Sequence, residues 1–333
     1  MTSPRKLASI RERGSITAIL HSMTLRDALL EASASISRRD AETLLAYILH
    51  RDRAWILAHG DNDLPIDGLE TLRALVTRRA GQHPLQHLTG TQEFFGLEFR
   101  VTPDVLIPRP ETEHLVEAVL NWARSQPDQH LRIADVGTGS GAIAIAIASV
   151  LEHASITAID ISPPALAVAR NNADRLGLAN RIRFLHGDLL APLLARREIP
   201  DPLFTTDPLN PLVSGSDPFN PFNPPLDPAL TTPTFDIIAS NPPYVALDDA
   251  STLVPEVRDH EPSLALYAGP DGLDIYRRLI PQALELLRPG GLLALEIGYG
   301  QRDALTQLLA GWQSLRFVDD YAGIPRVALA LRP

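Results

Sequence analysis

The sequence predicts an α/β protein: a mostly parallel sheet covered by helices on both faces, with a small helical domain ahead of it. Three observations carry that expectation. From Leu131 onward, short strand-like runs alternate with stretches of helical periodicity. Between the first such run and its helix lies a glycine-rich turn, Gly137-Thr138-Gly139-Ser140-Gly141. From Thr24 to about Arg79, by contrast, apolar residues recur only at helical spacing.

The chain of 333 residues is long enough for one large domain and one smaller one. At 45% hydrophobic and 21% charged, its composition is that of an ordinary soluble globular protein. The longest apolar run, Ala142–Leu151, is about half of what a membrane crossing needs, so no membrane association is expected. No cysteine is present, which excludes disulfides, thiolate metal sites and cysteine nucleophiles. No metal site is expected, and the amino terminus lacks the apolar core of a secretory signal, so a cytoplasmic location is expected. A net charge of -10 argues against an extended nucleic-acid footprint, and no direct nucleic-acid binding is expected.

Residues 1–22 read as an irregular, mildly basic extension, and Met23, which opens the first helical pattern, is a candidate start. Residues 23–88 form the helical domain, with Leu44, Leu45, Ile48 and Leu49 on one face and Ser37, Asp40 and Asp67 as helix-start candidates. Residues 89–107 hold a β-hairpin linker, because Glu93–Val101 is aromatic and β-branched and is broken by Gly96. Residues 108–333 carry the sheet. Strands are expected at Arg132–Val136, Ser155–Asp160, Arg181–His186, Phe235–Ser240, Leu292–Ile297, Arg316–Asp320 and Arg326–Leu331. Helices are expected at Gly141–Leu151, Pro163–Leu176, Leu273–Leu287 and Gln301–Trp312. The last two strands are joined by Gly323-Ile324-Pro325, too short for a crossover, so they should pair antiparallel. Ala142–Ala148 alternates Ala and Ile as a strand would; its uniform apolarity between two stronger strands favours a buried helix. Residues 199–233, dense in Pro, Asp and Asn, are expected to be a mobile surface insertion.

Two constellations carry chemistry. Glycines in the 137–141 turn let a ligand approach the backbone, and the helix amides behind them suit its polar end. With Ala142 the turn also satisfies a dinucleotide fingerprint, and Asp160, ending the next strand, suits a ribose diol in either case. The loop alone therefore supports an adenosine-containing cofactor. Gly187-Asp188-Leu189, an acid and an apolar neighbour able to bracket an adenine ring, tips the reading towards S-adenosylmethionine. A hydride-transfer enzyme would also need a substrate acid or base at the strand ends, and none stands out.

The second constellation is Asn241-Pro242-Pro243-Tyr244, directly after the run Phe235–Ser240. Consecutive prolines fix the backbone. The Asn241 carboxamide oxygen and the Pro242 carbonyl can both accept from one NH2 group, and Tyr244 offers a flat face to the planar system bearing it. An amide nitrogen is a poor nucleophile because its lone pair is delocalised. Two rigid acceptors can hold it in line with a sulfonium methyl and stabilise the developing charge. The tetrapeptide points to methylation of a planar nitrogen without saying whose.

The chain resembles the HemK/PrmC-type protein-(glutamine-N5) methyltransferases that act on peptide-chain release factors. The resemblance runs from about Met23 to the carboxyl end, on Pro84-Leu85-Gln86-His87-Leu88-Thr89-Gly90, Glu93-Phe94-Phe95-Gly96, Leu106-Ile107-Pro108-Arg109-Pro110-Glu111-Thr112-Glu113, the glycine loop, Asn241–Tyr244, Glu261-Pro262-Ser263-Leu264-Ala265-Leu266 and Asp271-Gly272-Leu273. It implies a class I S-adenosylmethionine-dependent methyltransferase domain, Rossmann-like and seven-stranded with its last strand antiparallel, and as substrate the glutamine of the release-factor Gly-Gly-Gln motif. By position, Gly137–Gly141, Asp160, Asp188 and Leu189 would contact the cofactor, Asn241–Tyr244 the glutamine, and Asn241 both. Leu189 stands where some relatives have an aromatic residue, which would weaken adenine stacking. The segment with Arg109, Glu111 and Glu113 is expected to fold over the pocket, the alternative being Arg109 paired to Glu111 or Glu113 as scaffold. A nucleic-acid adenine or cytosine amino-methyltransferase is the rival reading, since a flipped base amine fits the same tetrapeptide. A monomer is expected.

Overall fold

A seven-stranded sheet and a two-stranded hairpin are the β-structure of a computed structural model that describes residues 23–127, 130–194 and 234–333. The amino-terminal extension and the 199–233 insertion lie outside the described residues. The chain divides into two compact units between Gly81 and Gln82.

The first unit is helical: α1 (Leu25–Ser33), α2 (Arg38–Leu49), α3 (Arg53–Ala58) and α4 (Ile66–Ala80). Side-chain oxygens of Thr24, Ser37 and Asp52 accept from backbone amides three residues on, satisfying donors that the first helical turn leaves free. Asp40 and Asp67 lie within the first turns of α2 and α4, where a negative charge complements the helix dipole, and do not start them. Leu25, Ala28, Leu44, Leu45, Ile56 and Leu72 are buried.

The second unit opens with α5 (Leu85–Thr89) and a hairpin of β1 (Thr91–Phe94) and β2 (Leu97–Arg100). Phe95 and Gly96 both have positive φ, 53° and 72°, as a two-residue turn between twisted strands requires. The hairpin is not a free linker. Phe94 and Phe99 are fully buried in the same apolar core as the sheet, and Asn172 clasps the Arg100 backbone through both its amide and its carbonyl.

Next come α6 (Thr112–Arg124), β3 (Arg132–Val136), α7 (Ala142–Val150), β4 (Ser155–Asp160), α8 (Pro163–Arg175), β5 (Ile182–His186) and the short α9 (Ala191–Leu194). Beyond the insertion lie β6 (Phe235–Ser240), the short α10 (Pro255–Arg258), α11 (Asp274–Leu286), β7 (Leu287–Glu296), α12 (Arg302–Leu308), β8 (Gln313–Asp319) and β9 (Pro325–Leu331). The large sheet has the order β5-β4-β3-β6-β7-β9-β8. Strands β3 to β7 pair in parallel, and β9 runs antiparallel to both its neighbours. Ala142–Ala148 is helical and wholly buried, because α7 is packed on every side and needs no polar face. Two differences from expectation have local causes. Strand β7 begins at Leu287 rather than Leu292, since a register shift opposite Phe235–Ile237 lets the Pro289-Gly290-Gly291 segment stay in the sheet. Helix α6 was not anticipated, although its buried Leu115, Val116, Val119 and Ala123 follow helical spacing.

Chain order reverses direction in the sheet between β3 and β6, and their carboxyl ends stand side by side, with Val136 level with Ser240. Open α/β sheets bind ligands in the crevice at such a switch point.

Candidate functional site

Immediately after the paired residues Val136 and Ser240, the two strands deliver the glycine loop and the Asn-Pro-Pro-Tyr tetrapeptide to a single cavity of about 200 Å³. Ser240 Oγ donates to the Val136 carbonyl at 2.6 Å, which fixes the two strand ends against each other.

The glycine loop is folded by its neighbours. Gly137 and Thr138 amides donate to the Ile159 carbonyl at 2.8 and 3.0 Å, and the Gly139 amide donates to Asp160 Oδ2 at 2.8 Å. Beneath it, Asp135 Oδ2 accepts from the Thr138 hydroxyl at 2.6 Å and from the Ala144 amide at 3.1 Å. Complete burial pushes the Asp135 carboxyl up to about 7 despite those hydrogen bonds. Gly137 and Gly139 have φ of 73° and 53°, and a Cβ on either would meet no protein atom within 4 Å. Their backbone thus faces open space, the condition for close approach of a ligand. Gly141, at φ 85°, is different: a Cβ there would come within 2.9 Å of Ile145, so it serves packing of the loop against α7 and α8.

Asp160, Gly187, Asp188 and Leu189 line the same cavity, with Thr138 and Ser140 from the loop. Asp160 Oδ1 also accepts from the Ser162 amide at 2.9 Å. Each carboxylate oxygen keeps a lone pair for a ligand hydroxyl. Burial raises the Asp160 pKa against these amide hydrogen bonds. The Asp188 carboxylate pairs with Arg278 of α11. Leu189 sits at φ 51°, an uncommon conformation for a residue with a γ-branched side chain. Open glycine backbone, a carboxylate at the end of the second strand and an apolar wall fit an adenosine-containing group.

Asp104, Val105, Leu106, Pro108 and Arg109 also line the cavity, whereas Glu111 and Glu113 do not. Arg109 Nη2 donates to Glu261 Oε1 at 2.5 Å, and the Ile107 amide donates to Glu261 Oε2 at 3.3 Å. The pair partner of Arg109 is therefore Glu261, neither Glu111 nor Glu113. Burial raises the Glu261 pKa and the Arg109 charge opposes it. Glu113 accepts from the Phe95 amide at 2.8 Å and so anchors the hairpin turn, and Glu111 precedes α6 as its cap residue.

Asn241, Pro242 and Pro243 line the cavity, whereas Tyr244 stands behind it. Asn241 Nδ2 donates to Thr112 Oγ1 at 3.1 Å, and the Tyr244 hydroxyl donates to Glu296 Oε1 at 3.3 Å. Burial lifts the Glu296 carboxyl to about 7, while hydrogen bonds from the Thr112 and Tyr244 hydroxyls hold it down. Gln301 Nε2 donates to the Tyr244 carbonyl at 3.0 Å and to the Gly272 carbonyl at 3.2 Å. A Cβ on Gly272, at φ 75°, would lie 2.3 Å from the Tyr244 carbonyl oxygen, so only glycine fits beneath the tetrapeptide.

Sequence reasoning gave no role to Asp135, Thr112, Glu261, Glu296 or Gln301. A carboxylate inside each of two apolar strand runs, at Asp135 and Glu296, was the available signal. Among the described residues no group of three His, Asp or Glu side chains could hold a metal ion, and no helix is long and apolar enough to cross a membrane.

A seven-stranded sheet in this order, with a glycine loop and an Asn-Pro-Pro-Tyr tetrapeptide on adjacent strand ends, defines a class I methyltransferase domain. Residues 24–90 match the PrmC N-terminal domain model and residues 127–213 a methyltransferase domain model. The chain is 42% identical over 320 residues to the release factor glutamine methyltransferase of Moorella thermoacetica, covering 93% of this chain and 99% of that one. It is 37% identical over 318 residues to the protein of the same description from Koribacter versatilis, again covering 93% and 99%. The chain belongs to the release factor glutamine methyltransferase family. Among solved structures it is similar to the hMettl16 catalytic domain in complex with the MAT2A 3'UTR hairpin 6, at 16% identity and a TM-score of 0.50, covering 78% of this chain and 82% of that one; that likeness speaks for the fold alone.

Proposed function

We propose that this chain methylates the side-chain amide nitrogen of a glutamine in peptide-chain release factors, the glutamine of their Gly-Gly-Gln motif, with S-adenosylmethionine as donor. The observation that carries the reading is the meeting of two elements in one cavity, the open glycine backbone and Asn241-Pro242-Pro243. Relatives of that description, similar along nearly the whole chain, support the choice of substrate.

S-adenosylmethionine, when bound, supplies an electrophilic sulfonium methyl. The residues then have three tasks. Gly137, Thr138, Gly139, Ser140, Asp160, Asp188 and Leu189 would hold the donor, with Arg109 and its neighbours lining the same cavity; Gly141 does not line it and serves the packing of the loop. Asn241 Oδ1 and the Pro242 carbonyl would each accept a hydrogen bond from the substrate NH2 and so orient its nitrogen for transfer. As the nitrogen–carbon bond formed and the methyl carbon–sulfur bond broke, leaving the donor sulfur as a neutral thioether, positive charge would grow on that nitrogen. The same two oxygens would stabilise it before one proton left to solvent. No base has to act before transfer. The Tyr244 phenol is tied to Glu296, which fixes its ring outside the cavity lining.

The test is transfer of labelled methyl groups from S-adenosylmethionine to a purified release factor, with RNA and DNA as parallel acceptors. Label should enter the release factor and disappear when its Gly-Gly-Gln glutamine is replaced. Label in nucleic acid with none in the release factor would overturn the assignment in favour of a base amine.

A further inference from the structure

The Asn241 carboxamide can face a substrate NH2 in two ways, and only one of them works. With Oδ1 forward it accepts a hydrogen bond; with Nδ2 forward it places donor against donor. Nothing within the tetrapeptide decides between them. The decision comes from outside it. Asn241 Nδ2 donates to Thr112 Oγ1, whose own proton is then free for another acceptor. The Tyr244 hydroxyl donates to Glu296 Oε1 at 3.3 Å, and the Thr112 hydroxyl acts on the same carboxylate, holding its pKa down. Glu296 is 2% exposed, and its Oε2 has no hydrogen-bond partner among the described residues, so it is an acceptor that water cannot satisfy. Its backbone is fixed too, since the Tyr276 hydroxyl donates to the Glu296 carbonyl at 2.8 Å. Arg326 and Glu111 also act on this carboxylate, and Glu296 does not line the cavity.

We infer that Glu296 is a positioning residue that sets the polarity of the methyl-acceptor site: as an acceptor-only group it takes the Thr112 proton, obliges Thr112 to accept from Asn241 Nδ2, and so presents Asn241 Oδ1 to the substrate amide. The same carboxylate takes the Tyr244 proton, so one buried charge orients both ends of the tetrapeptide. This assignment rests on the acceptor role proposed above for Asn241.

A neutral isostere distinguishes this from a packing role. Glu296→Gln keeps the shape but adds two donors. The introduced carboxamide then donates to Thr112, Thr112 donates to Asn241 Oδ1, and the Asn241 side chain turns its NH2 towards the substrate. Turnover on the release factor should fall by about tenfold to a hundredfold, the effect of losing a charge-assisted hydrogen bond, with donor affinity nearly unchanged. Asn241→Asp has two acceptor oxygens and no wrong orientation, so it should suppress the Glu296→Gln defect: the double variant should turn over at about the rate of Asn241→Asp alone. Thr112→Ser, which keeps the hydroxyl and loses a methyl group, should retain turnover, and Thr112→Val should lose it. A packing role predicts the reverse order.

A second readout needs no acceptor substrate. The Asn241 side-chain NH2 resonance, assigned by its absence in Asn241→Asp, should shift and exchange faster in both Glu296→Gln and Thr112→Val. If that resonance is unchanged, or if the Asn241→Asp and Glu296→Gln losses simply multiply, the polarity assignment is wrong. If wild-type enzyme fails on release factors while the resonance responds as described, the substrate reading fails and the polarity assignment stands.

Discussion

The two halves of the cavity are built by opposite means. The donor half is largely local: from Asp135 to Gly141 seven consecutive residues supply the loop, its glycines and the buried carboxylate that holds it, reinforced by hydrogen bonds to Ala144, Ile159, Asp160, Asn172 and Ser240. The acceptor half is assembled. Asn241 and Tyr244 are held by Thr112 from the start of α6, Glu296 from the end of β7, Gln301 before α12 and Gly272 before α11. A bound nucleoside needs backbone and space, the backbone coming from one short segment and the rest of its wall from strand ends such as Asp160 and Asp188. An amide to be methylated needs acceptors of fixed polarity, and fixing polarity takes partners from several directions.

Substitutions in the two halves should therefore separate binding from turnover. The largest effect is expected for Asn241→Ala, which removes an acceptor used as charge develops: turnover should fall by about 10²–10³ in single-turnover assays, with a much smaller change in donor affinity by calorimetry. Gly139→Ala should do the converse. Its Cβ meets no protein atom, so the cost falls on backbone strain of about 1–2 kcal/mol and on the ligand's space, and donor Kd should rise by about tenfold or more. Gln301→Ala leaves the Tyr244 and Gly272 carbonyls without their partner and should cost about 1–3 kcal/mol in denaturant unfolding, with turnover lowered and donor affinity kept.

That contrast also explains what the sequence disclosed. The glycine loop, Asp160 and Asn241–Tyr244 are short and contiguous, and periodicity places them at strand ends without any knowledge of pairing. Of the first four strands of the sheet, three fell where alternation put them, because buried parallel strands bounded by turn residues leave little freedom. Helix α6 and the early start of β7 were not legible: one followed a proline-rich segment that masked its start, and the other depends on a bulge set by its partner strand. Thr112, Glu261, Glu296 and Gln301 were hidden for a deeper reason. Each acts on a residue at least 29 positions away in the chain, as Gln301 does on Gly272, and no local pattern records such a partner.

Two pH effects sharpen the comparison further. Glu296 and Asp135 both lie at about 7, one in each half. Below that pH Glu296 is protonated and can donate, so the polarity it imposes on Thr112 and Tyr244 is lost. Turnover should rise through pH about 7 as Glu296 ionises, Glu296→Gln should lack that inflection, and Asp135→Asn should keep it. Asp135 instead reports on stability, and with the smallest effect. Its folded-state pKa is raised from 3.8 to about 7, so the folded protein holds the proton more tightly. The stability contributed is full below the unfolded value and is lost as pH rises towards 7. Asp135→Asn should flatten the fall of Tm across that window in scanning calorimetry.

The central claim, that the assembled half receives a glutamine amide, is tested most directly by where the methyl group ends. A release factor treated with the enzyme and S-adenosylmethionine, then digested and fragmented in a mass spectrometer, should carry one added methyl on the side-chain nitrogen of the Gly-Gly-Gln glutamine and none when Asn241 is replaced by Ala. A methyl group on another residue, or on RNA or DNA bases in the parallel reactions while the glutamine stays unmodified, would contradict the account.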